Sequence, residues 1–203
     1  MKTAQSIRNS IQSMPTEQLF TPAHFAGAGS RASIDQTLMR LNQTGAIERI
    51  SHGLYMIPRT SRFGLKTMPS PDAVAKAIAL SEGATIEVHG AEAAHRFGLS
   101  TQMPVQPVYN TTGSSRAIQF GNMTIHFRHV AARKLALAGR PAGQALAALW
   151  YLGKDEVSAQ TVRQIQARLP AEEFAALVQA KSSMPAWMIE AFREFEQEGH
   201  HHG

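Results

Sequence analysis

The sequence predicts an α+β protein with two domains, and three observations lead to this fold class. Three helical stretches and a β-hairpin pattern follow one another within the first 60 residues. A second hairpin pattern lies at residues 118–127, and apolar residues recur at helical spacing from residue 133 onward. Strand and helix patterns that are grouped rather than strictly alternating favour the α+β class. We expect domains at 1–60 and 71–198, joined by a linker with Ser, Pro and Gly at 61–70.

The first two predicted helices are short. Within residues 4–14, apolar side chains recur at positions 7, 11 and 14, which is the period of one helix face, and Pro15 ends the segment. Thr21-Pro22 is the pattern of a capping residue followed by proline at the first helical position. It predicts a second helix through Phe25, which the glycines at 27 and 29 terminate.

The third predicted helix carries the polar surface of the N-terminal domain. Ser30 caps it, it runs from Arg31 to about Thr44, and Gly45 ends it in a left-handed conformation. At about 100° per residue, three apolar residues form a stripe that we expect to be buried: Ile34, Leu38 and Leu41. The opposite side carries small or hydrogen-bonding residues: Ala32, Ser33, Gln36, Arg40 and Gln43. Asp35 falls between the two faces, as a surface carboxylate or the partner of a nearby arginine.

A β-hairpin pattern follows this helix at once. Residues 46–50 alternate between apolar and polar, residues 51–53 form a turn, and residues 54–57 are extended up to Pro58. Three helices with a tight turn between the second and the third, followed by a hairpin, are the order of a winged helix-turn-helix domain. The hairpin is the predicted wing.

The positive charge of the chain is concentrated in its N-terminal third. Residues 1–66 have a net charge of +5, residues 67–135 of +2 and residues 136–203 of −2. A basic end favours a polyanionic partner, and a helix side without acidic residues favours double-stranded DNA. We therefore predict DNA contacts from the third helix, the wing and the segment just after it: Ser30, Arg31, Ser33, Gln36, Arg40, Gln43, Arg49, Ser51, His52, Arg59 and Arg62.

The C-terminal domain is predicted to combine a small sheet with a helical end. Its first elements are a helix at 71–81, a strand at 85–88, a helix at 91–97, an extended segment at 105–111 and a hairpin at 118–127. Pro104 and Pro107 predict an edge position for the extended segment. The hairpin turns at Gly121-Asn122. Helical patterns then cover residues 133–153, 158–170, 174–178 and 187–195.

The sequence carries no known catalytic or metal-binding pattern. It has no cysteine, which excludes disulfides, thiol chemistry and cysteine-based metal sites. The internal histidine cluster matches no metal-ligand spacing: His89, His95, His126 and His129. The polar stretch at 111–116 lacks the Gly-Lys-Ser/Thr ending of a phosphate-binding P-loop. We therefore expect no enzyme activity, no cofactor and no metal.

The two ends of the chain bear on its location. No apolar secretory segment follows the N-terminus, and no apolar run approaches the roughly 18–20 residues of a membrane span. A cytoplasmic protein without a membrane partner is expected. Residues 199–203 include three histidines, and we expect them to be a disordered tail or the remnant of a purification tag.

Two other functions remain open from the residues alone. Winged helices also serve as protein-interaction modules, in which the wing contributes to assembly rather than to DNA binding. A nucleic-acid-processing enzyme built on the C-terminal domain is the less favoured alternative, because no nucleophile, paired-carboxylate or dinucleotide-binding motif is present.

Five stretches resemble AbiEi-type antitoxins, which belong to bacterial abortive-infection, type IV toxin–antitoxin systems. The N-terminal domain of these proteins is similar to SRASIDQTLMRLNQTG at residues 30–45 and IERISHGLYMIP at residues 47–58. Their C-terminal region is similar to HGAEAAHRFGL at 89–99, IQFGNMTIHFR at 118–128 and RKLALAGRP at 133–141.

The resemblance implies a transcriptional autorepressor. Its winged helix would bind inverted repeats in its own promoter, as a monomer or a weak dimer on DNA. Its C-terminal domain would counteract a toxin of the nucleotidyltransferase type without forming a stable complex with that toxin.

Overall fold

The structure is a computed structural model that describes residues 2–59 and 67–200. By the proximity of its Cα atoms the chain divides into two compact units, Met1–Gly83 with Ile118–Thr124, and Ala84–Ala117 with Ile125–Gly203. A three-stranded antiparallel sheet lies near the N-terminus and a four-stranded mixed sheet follows, so the predicted α+β class is confirmed. Most of the predicted linker at 61–70 lies outside the described residues, and the predicted domain limits stay a prediction.

The first unit contains the three helices and the hairpin predicted for the N-terminal domain, one further strand, and the helix at 71–81 that was predicted as the first element of the C-terminal domain. Its elements are α1 (Lys2–Ser13), β1 (Leu19–Phe20), a 3₁₀ helix (Pro22–Ala28), α2 (Arg31–Gln43), β2 (Glu48–Ser51), β3 (Leu54–Met56) and α3 (Pro71–Ser81). Strand β3 lies between the other two, with Leu19 and Glu48 both opposite Met56. This order is that of a winged helix: a helix, a strand, two helices and a hairpin, with the first strand paired beside the hairpin.

Helix α2 forms where its capping and apolar residues predict it. The Ser30 side chain accepts a hydrogen bond from the Ser33 backbone N–H at 3.3 Å, and Gly45 takes a left-handed φ of 73°. The predicted stripe is buried in the core of the unit, which comprises Ile7, Ile11, Phe20, Phe25, Ile34, Leu38, Leu41, Ile47 and Tyr55. This packing leaves the opposite side of α2 exposed.

The second predicted helix is a 3₁₀ helix rather than an α-helix. Thr21 has the extended conformation of a cap, but its side chain makes no capping hydrogen bond. Phe25 leaves helical geometry at φ −107° and ψ 17°. The Phe25 ring is buried and packs edge-to-face on the Phe20 ring, with the two ring centroids 5.6 Å apart. The predicted second helix is therefore present, as a 3₁₀ helix with a kink at Phe25.

The second unit combines strands with the helical end and contains the residues after Gly83 except Ile118–Thr124, which belong to the first unit. The elements that follow α3 in the chain are β4 (Ile86–Val88), α4 (Gly90–Arg96), β5 (Val108–Thr111), β6 (Arg116–Phe120), β7 (Met123–His129), a 3₁₀ helix (Ala132–Leu135), α5 (Pro141–Leu152), α6 (Ala159–Gln166), α7 (Ala171–Gln179), a 3₁₀ helix (Ala180–Ser183) and α8 (Ala186–His200). Helix α8 includes the backbone of Gly199 and His200, the first two residues of the predicted disordered tail, and residues 201–203 lie outside the described residues.

Strand β5 corrects one prediction about the sheet. The strand order is β4-β5-β7-β6, so β5 is an inner strand and not an edge strand. It pairs antiparallel with β4 and parallel with β7. Pro104 and Pro107 precede its first residue, Val108, and therefore remove no hydrogen bond from the ladder. The Pro107 carbonyl still accepts from the His126 N–H at 2.9 Å.

None of the helices in the described part of the chain combines the length and the apolar character that crossing a bilayer requires.

Candidate nucleic-acid interface

The exposed side of α2 is the most continuous part of the predicted DNA surface. Gln36, Arg40 and Gln43 are all exposed, as predicted from their positions on the helix. The Arg40 side chain makes no hydrogen bond or ion pair with any of the described residues, so its guanidinium is available to a ligand. The two glutamines carry amides that can both donate and accept hydrogen bonds.

One residue of this side was missed by the sequence analysis. Met39 is 51% exposed. It lies three residues after Gln36 and four residues before Gln43, so it shares their side of the helix. This i, i+3 and i, i+4 spacing was the signal that could have identified it. The outer side of α2 is therefore polar with an apolar centre.

Arg31 is held by the acidic residue that lies between the faces. Its Nε donates to both carboxylate oxygens of Asp35, at 2.8 and 3.0 Å. Arg31 also lies nine residues from Arg40, which is about 180° around the helix at 100° per residue. The two arginines therefore flank the outer side of α2 rather than form one patch, and only Arg40 presents an unpaired charge.

The hydroxyls of Ser30 and Ser33 belong to the start of α2. Ser33 donates its hydroxyl hydrogen to the Ser30 carbonyl at 2.8 Å, and the two hydroxyl oxygens lie 3.0 Å apart. These hydrogen bonds fix the first turn of the helix. Both serines were predicted to contact DNA, and both have their hydrogen bonds within the cap.

The three predicted wing residues form one cluster. Arg49 donates through Nη2 to His52 Nδ1 at 3.0 Å and through Nε to the Ser51 carbonyl at 3.4 Å. Because a guanidinium can only donate, Nδ1 accepts, and the proton of the neutral ring lies on Nε2. The Arg49 backbone N–H donates to Asn42 Oδ1 at 2.9 Å, which ties the wing to the end of α2.

Of the two basic residues predicted to contact DNA just after the wing, Arg59 lies in the described part of the chain and has an acidic neighbour. Arg59 lies 3.4 Å from a carboxylate oxygen of Glu17, and both side chains are exposed. Glu17 is itself held in a left-handed backbone conformation with φ 67°. Arg62 lies outside the described residues.

Three of the four histidines in the predicted cluster, His89, His126 and His129, have separate partners. His89 Nδ1 accepts from the Ala91 N–H at 3.2 Å. His126 Nε2 lies 2.7 Å from Gln106 Oε1, and His129 Nδ1 lies 2.8 Å from the Gly113 carbonyl. Within residues 2–59 and 67–200, no three histidine, aspartate or glutamate side chains come together in a way that could hold a metal ion.

The fold and this surface define a winged-helix protein of the α+β class. The chain belongs to a family of unknown function, DUF6088, which it matches over residues 6–177. The match includes the winged helix and most of the second unit. No curated protein matches the chain.

Proposed function

We propose that the protein is a DNA-binding transcriptional repressor of its own promoter. The unpaired Arg40 guanidinium, with two amide side chains beside it on the exposed side of a winged helix, carries this proposal. Arginine donates to guanine O6 and N7 in the major groove, and glutamine can pair with the edge of adenine. Gln36 and Gln43 are about 10 Å apart along the helix axis, at 1.5 Å per residue, which corresponds to about three base pairs.

The wing supports the same function. An exposed Arg49 guanidinium next to the His52 ring gives a phosphate two neighbouring donors, the guanidinium and the Nε2–H of the ring. Met39 suits the remaining chemistry of the major groove, because apolar side chains contact the thymine methyl group. Promoter inverted repeats would be read by monomers or by a weak dimer that forms on the DNA.

We further propose that the protein is the antitoxin of a type IV toxin–antitoxin system. The resemblance of residues 30–58, 89–99, 118–128 and 133–141 to AbiEi-type antitoxins supports this role. The toxin would be a nucleotidyltransferase, counteracted without a stable complex, and the protein would act in the cytoplasm. This role and the repressor role are separable, because a repressor can stand alone in its operon.

A salt series on the promoter tests the repressor role. The full-length protein is titrated into labelled DNA from immediately upstream of its gene, and fluorescence anisotropy gives the affinity. We expect saturable binding. The logarithm of the association constant is expected to fall linearly with the logarithm of the salt concentration. Arg40→Ala is expected to weaken it by about 1–3 kcal/mol.

The matched control is Lys154→Ala. Lys154 is exposed and belongs to the second unit, so this substitution removes one positive charge that is not on α2. Equal affinities of the two variants would contradict the assignment of α2 as the reading helix.

Co-expression tests the antitoxin role. A nucleotidyltransferase-like gene downstream of this one is expressed with and without the protein. Restored growth supports the antitoxin role. The Arg40→Ala variant is expected to restore growth as well, because this substitution removes only promoter binding. Unrelieved toxicity would leave a repressor without antitoxin activity.

Met39 favours a second candidate, a protein-interaction module. An exposed methionine at the centre of a helix side can pack against a protein surface. This function predicts a partner-bound species in size-exclusion chromatography that Met39→Gln disrupts and that added promoter DNA leaves unchanged. The repressor function predicts a shift in size only when DNA is added.

A further inference from the structure

The second unit contains a concave basic site that the repressor function does not use. A cavity of about 380 Å³ lies between strands β5 and β7, the 3₁₀ helix at 132–135 and helix α5. Its volume is within the range of small-molecule sites, which is about 300–1,000 Å³. The side chains that give it its chemistry are His89, Asn110, Arg128, Lys134, Trp150 and Tyr151.

Parallel strand pairing places two of these side chains together. Asn110 on β5 is directly opposite Arg128 on β7, so both project from the same face of the sheet, on strands about 4.8 Å apart. The Arg128 side chain makes no hydrogen bond or ion pair with any of the described residues. The sheet therefore presents an amide and an available guanidinium side by side.

A second cation faces the cavity from the 3₁₀ helix. The Lys134 ammonium lies 4.5 Å above the centre of the Trp150 ring. A cation–π contact of this kind positions an ammonium without neutralising its charge. The cavity lining includes no acidic residue. The buried carboxylate nearest along the sheet, Glu87, has its oxygens bound by the Val88 and Gly139 backbone N–H groups at 2.9 Å.

The close contact of α4 with α5 brings aromatic rings to the same cavity. A Cβ on Gly90 would lie 2.4 Å from the Ala147 carbonyl oxygen and from the Tyr151 Cβ, so only glycine permits this approach. The His89 ring consequently packs edge-to-face against the Tyr151 ring, with the two ring centroids 5.7 Å apart. Tyr151 is 38% exposed, and its hydroxyl donates to Gln102 at 3.2 Å, which holds the ring in place.

His89 adds a neutral donor. Its Nδ1 accepts from the Ala91 N–H, which leaves the hydrogen of the neutral ring on Nε2. Burial and then the nearby Arg128 lower the pKa of His89, against the opposing effect of Glu92. The ring is therefore uncharged at neutral pH and can donate one hydrogen bond.

We propose that this cavity binds a nucleotide, with its phosphate between Arg128 and Lys134 and its base against Tyr151. Guanidinium and ammonium groups are the usual protein partners of phosphate. Bases stack on aromatic side chains, and an asparagine amide can pair with a base edge. The nucleotide is either free in solution or the phosphorylated end of a nucleic-acid strand, and both present the same chemical groups.

Intrinsic fluorescence gives a direct assay on the full-length protein. Both tryptophans of the chain are in this unit, Trp150 in the cavity wall and Trp187 edge-to-face with it at 6.1 Å. The protein is titrated with AMP, adenosine and inorganic phosphate, with calorimetry as a second readout. We expect AMP to bind more tightly than either of its parts.

Two variants locate the site. Arg128→Gln and Lys134→Gln are each expected to weaken AMP binding about tenfold or more, because each removes a charged hydrogen-bond donor to phosphate. Lys154→Gln, the matched control outside the cavity, is expected to bind AMP like the wild type. Circular dichroism confirms that the variants are folded.

A second series of titrations distinguishes a free nucleotide from the phosphorylated end of a nucleic-acid strand. Trinucleotides with and without a 5′-phosphate are titrated into the Arg40→Ala variant, in which the proposed DNA-reading residue is removed. Tighter binding of the phosphorylated trinucleotide than of AMP assigns the site to strand ends, and the reverse assigns it to free nucleotides.

The proposal is overturned if AMP does not bind in either assay, or if Arg128→Gln and Lys134→Gln bind it like the wild type. Inorganic phosphate that binds as tightly as AMP would also overturn it, because the base would then contribute nothing.

Discussion

The outer side of α2 and the cavity of the second unit are both basic, but they present their charges differently. Arg40 projects from a convex helix surface, with amides on either side and open solvent around it. Arg128 and Lys134 line a concave site whose wall includes aromatic rings. A convex helix fits the groove of an extended polymer, whereas a concave site encloses a single small ligand. Shape, rather than charge alone, therefore distinguishes the two proposed ligands.

The largest expected effect tests the packing beneath the convex surface. Leu38 is fully buried on α2, whereas its neighbour Met39 is exposed. Leu38→Ala is expected to lower the free energy of unfolding by about 2–5 kcal/mol, because it leaves a cavity in the core. Urea unfolding followed by circular dichroism measures this change. Met39→Ala is the control, with an expected change within about 0.5 kcal/mol. Similar values for both variants would contradict the orientation of α2.

The next effect tests the packing that shapes the cavity. Gly90→Ala places a methyl group 2.4 Å from backbone and side-chain atoms of α5. We expect a loss of about 1–3 kcal/mol in stability, as for other overpacked sites, together with weaker AMP binding. Gly27→Ala is the control, because a Cβ there meets no atom within 4 Å. Unchanged AMP affinity in a folded Gly90→Ala protein would show that this contact does not shape the binding site.

A smaller effect distinguishes the two arginines of α2. Arg31 is paired with Asp35, and exposed ion pairs contribute only about 0–1 kcal/mol. DNA must nevertheless compete with this carboxylate, so Arg31→Ala is expected to weaken promoter binding less than Arg40→Ala does. Asp35→Asn removes a negative charge beside the DNA surface and is expected to strengthen binding a few-fold. Anisotropy titrations measure the promoter affinities of the three variants. Weaker binding of Asp35→Asn would mean that the pair itself contacts DNA.

The convex surface was largely predictable from the sequence because its signals are local. The cap at Ser30, the apolar spacing and Gly45 define α2 within 16 residues, and its exposed side follows from helix geometry. What the sequence left open was the pairing of side chains. Arg31 lies four residues before Asp35, a spacing that allows the ion pair but does not determine it, whereas Arg40 lies five residues after Asp35 and on another side of the helix.

The cavity was not predictable, because its residues are distant in the sequence. Residues 89, 110, 128, 134 and 151 meet only through the parallel pairing of β5 with β7 and the contact at Gly90. Proline had indicated an edge strand for β5, and neither strand carries a local signal for its partner. Strand β1 depends in the same way on a distant partner, because it forms by pairing with β3, where Phe20 lies opposite Tyr55.

The smallest expected effect concerns pH, and it belongs to the cavity alone. Burial and Arg128 lower the pKa of His89, so the unfolded chain binds a proton more readily than the folded protein does. The contribution of His89 to the free energy of unfolding is therefore fully present above about pH 6.5, the ordinary pKa of histidine. It decreases as the pH falls below that value. His89→Asn keeps an acceptor for the Ala91 N–H but has no titrating group. Its melting temperature is expected to decrease less on acidification than that of the wild type. His95→Asn, which removes an exposed histidine from α4, the helix that His89 caps, is expected to follow the wild type. A steeper decrease for His89→Asn would mean that the imidazole gains, rather than loses, proton affinity on folding.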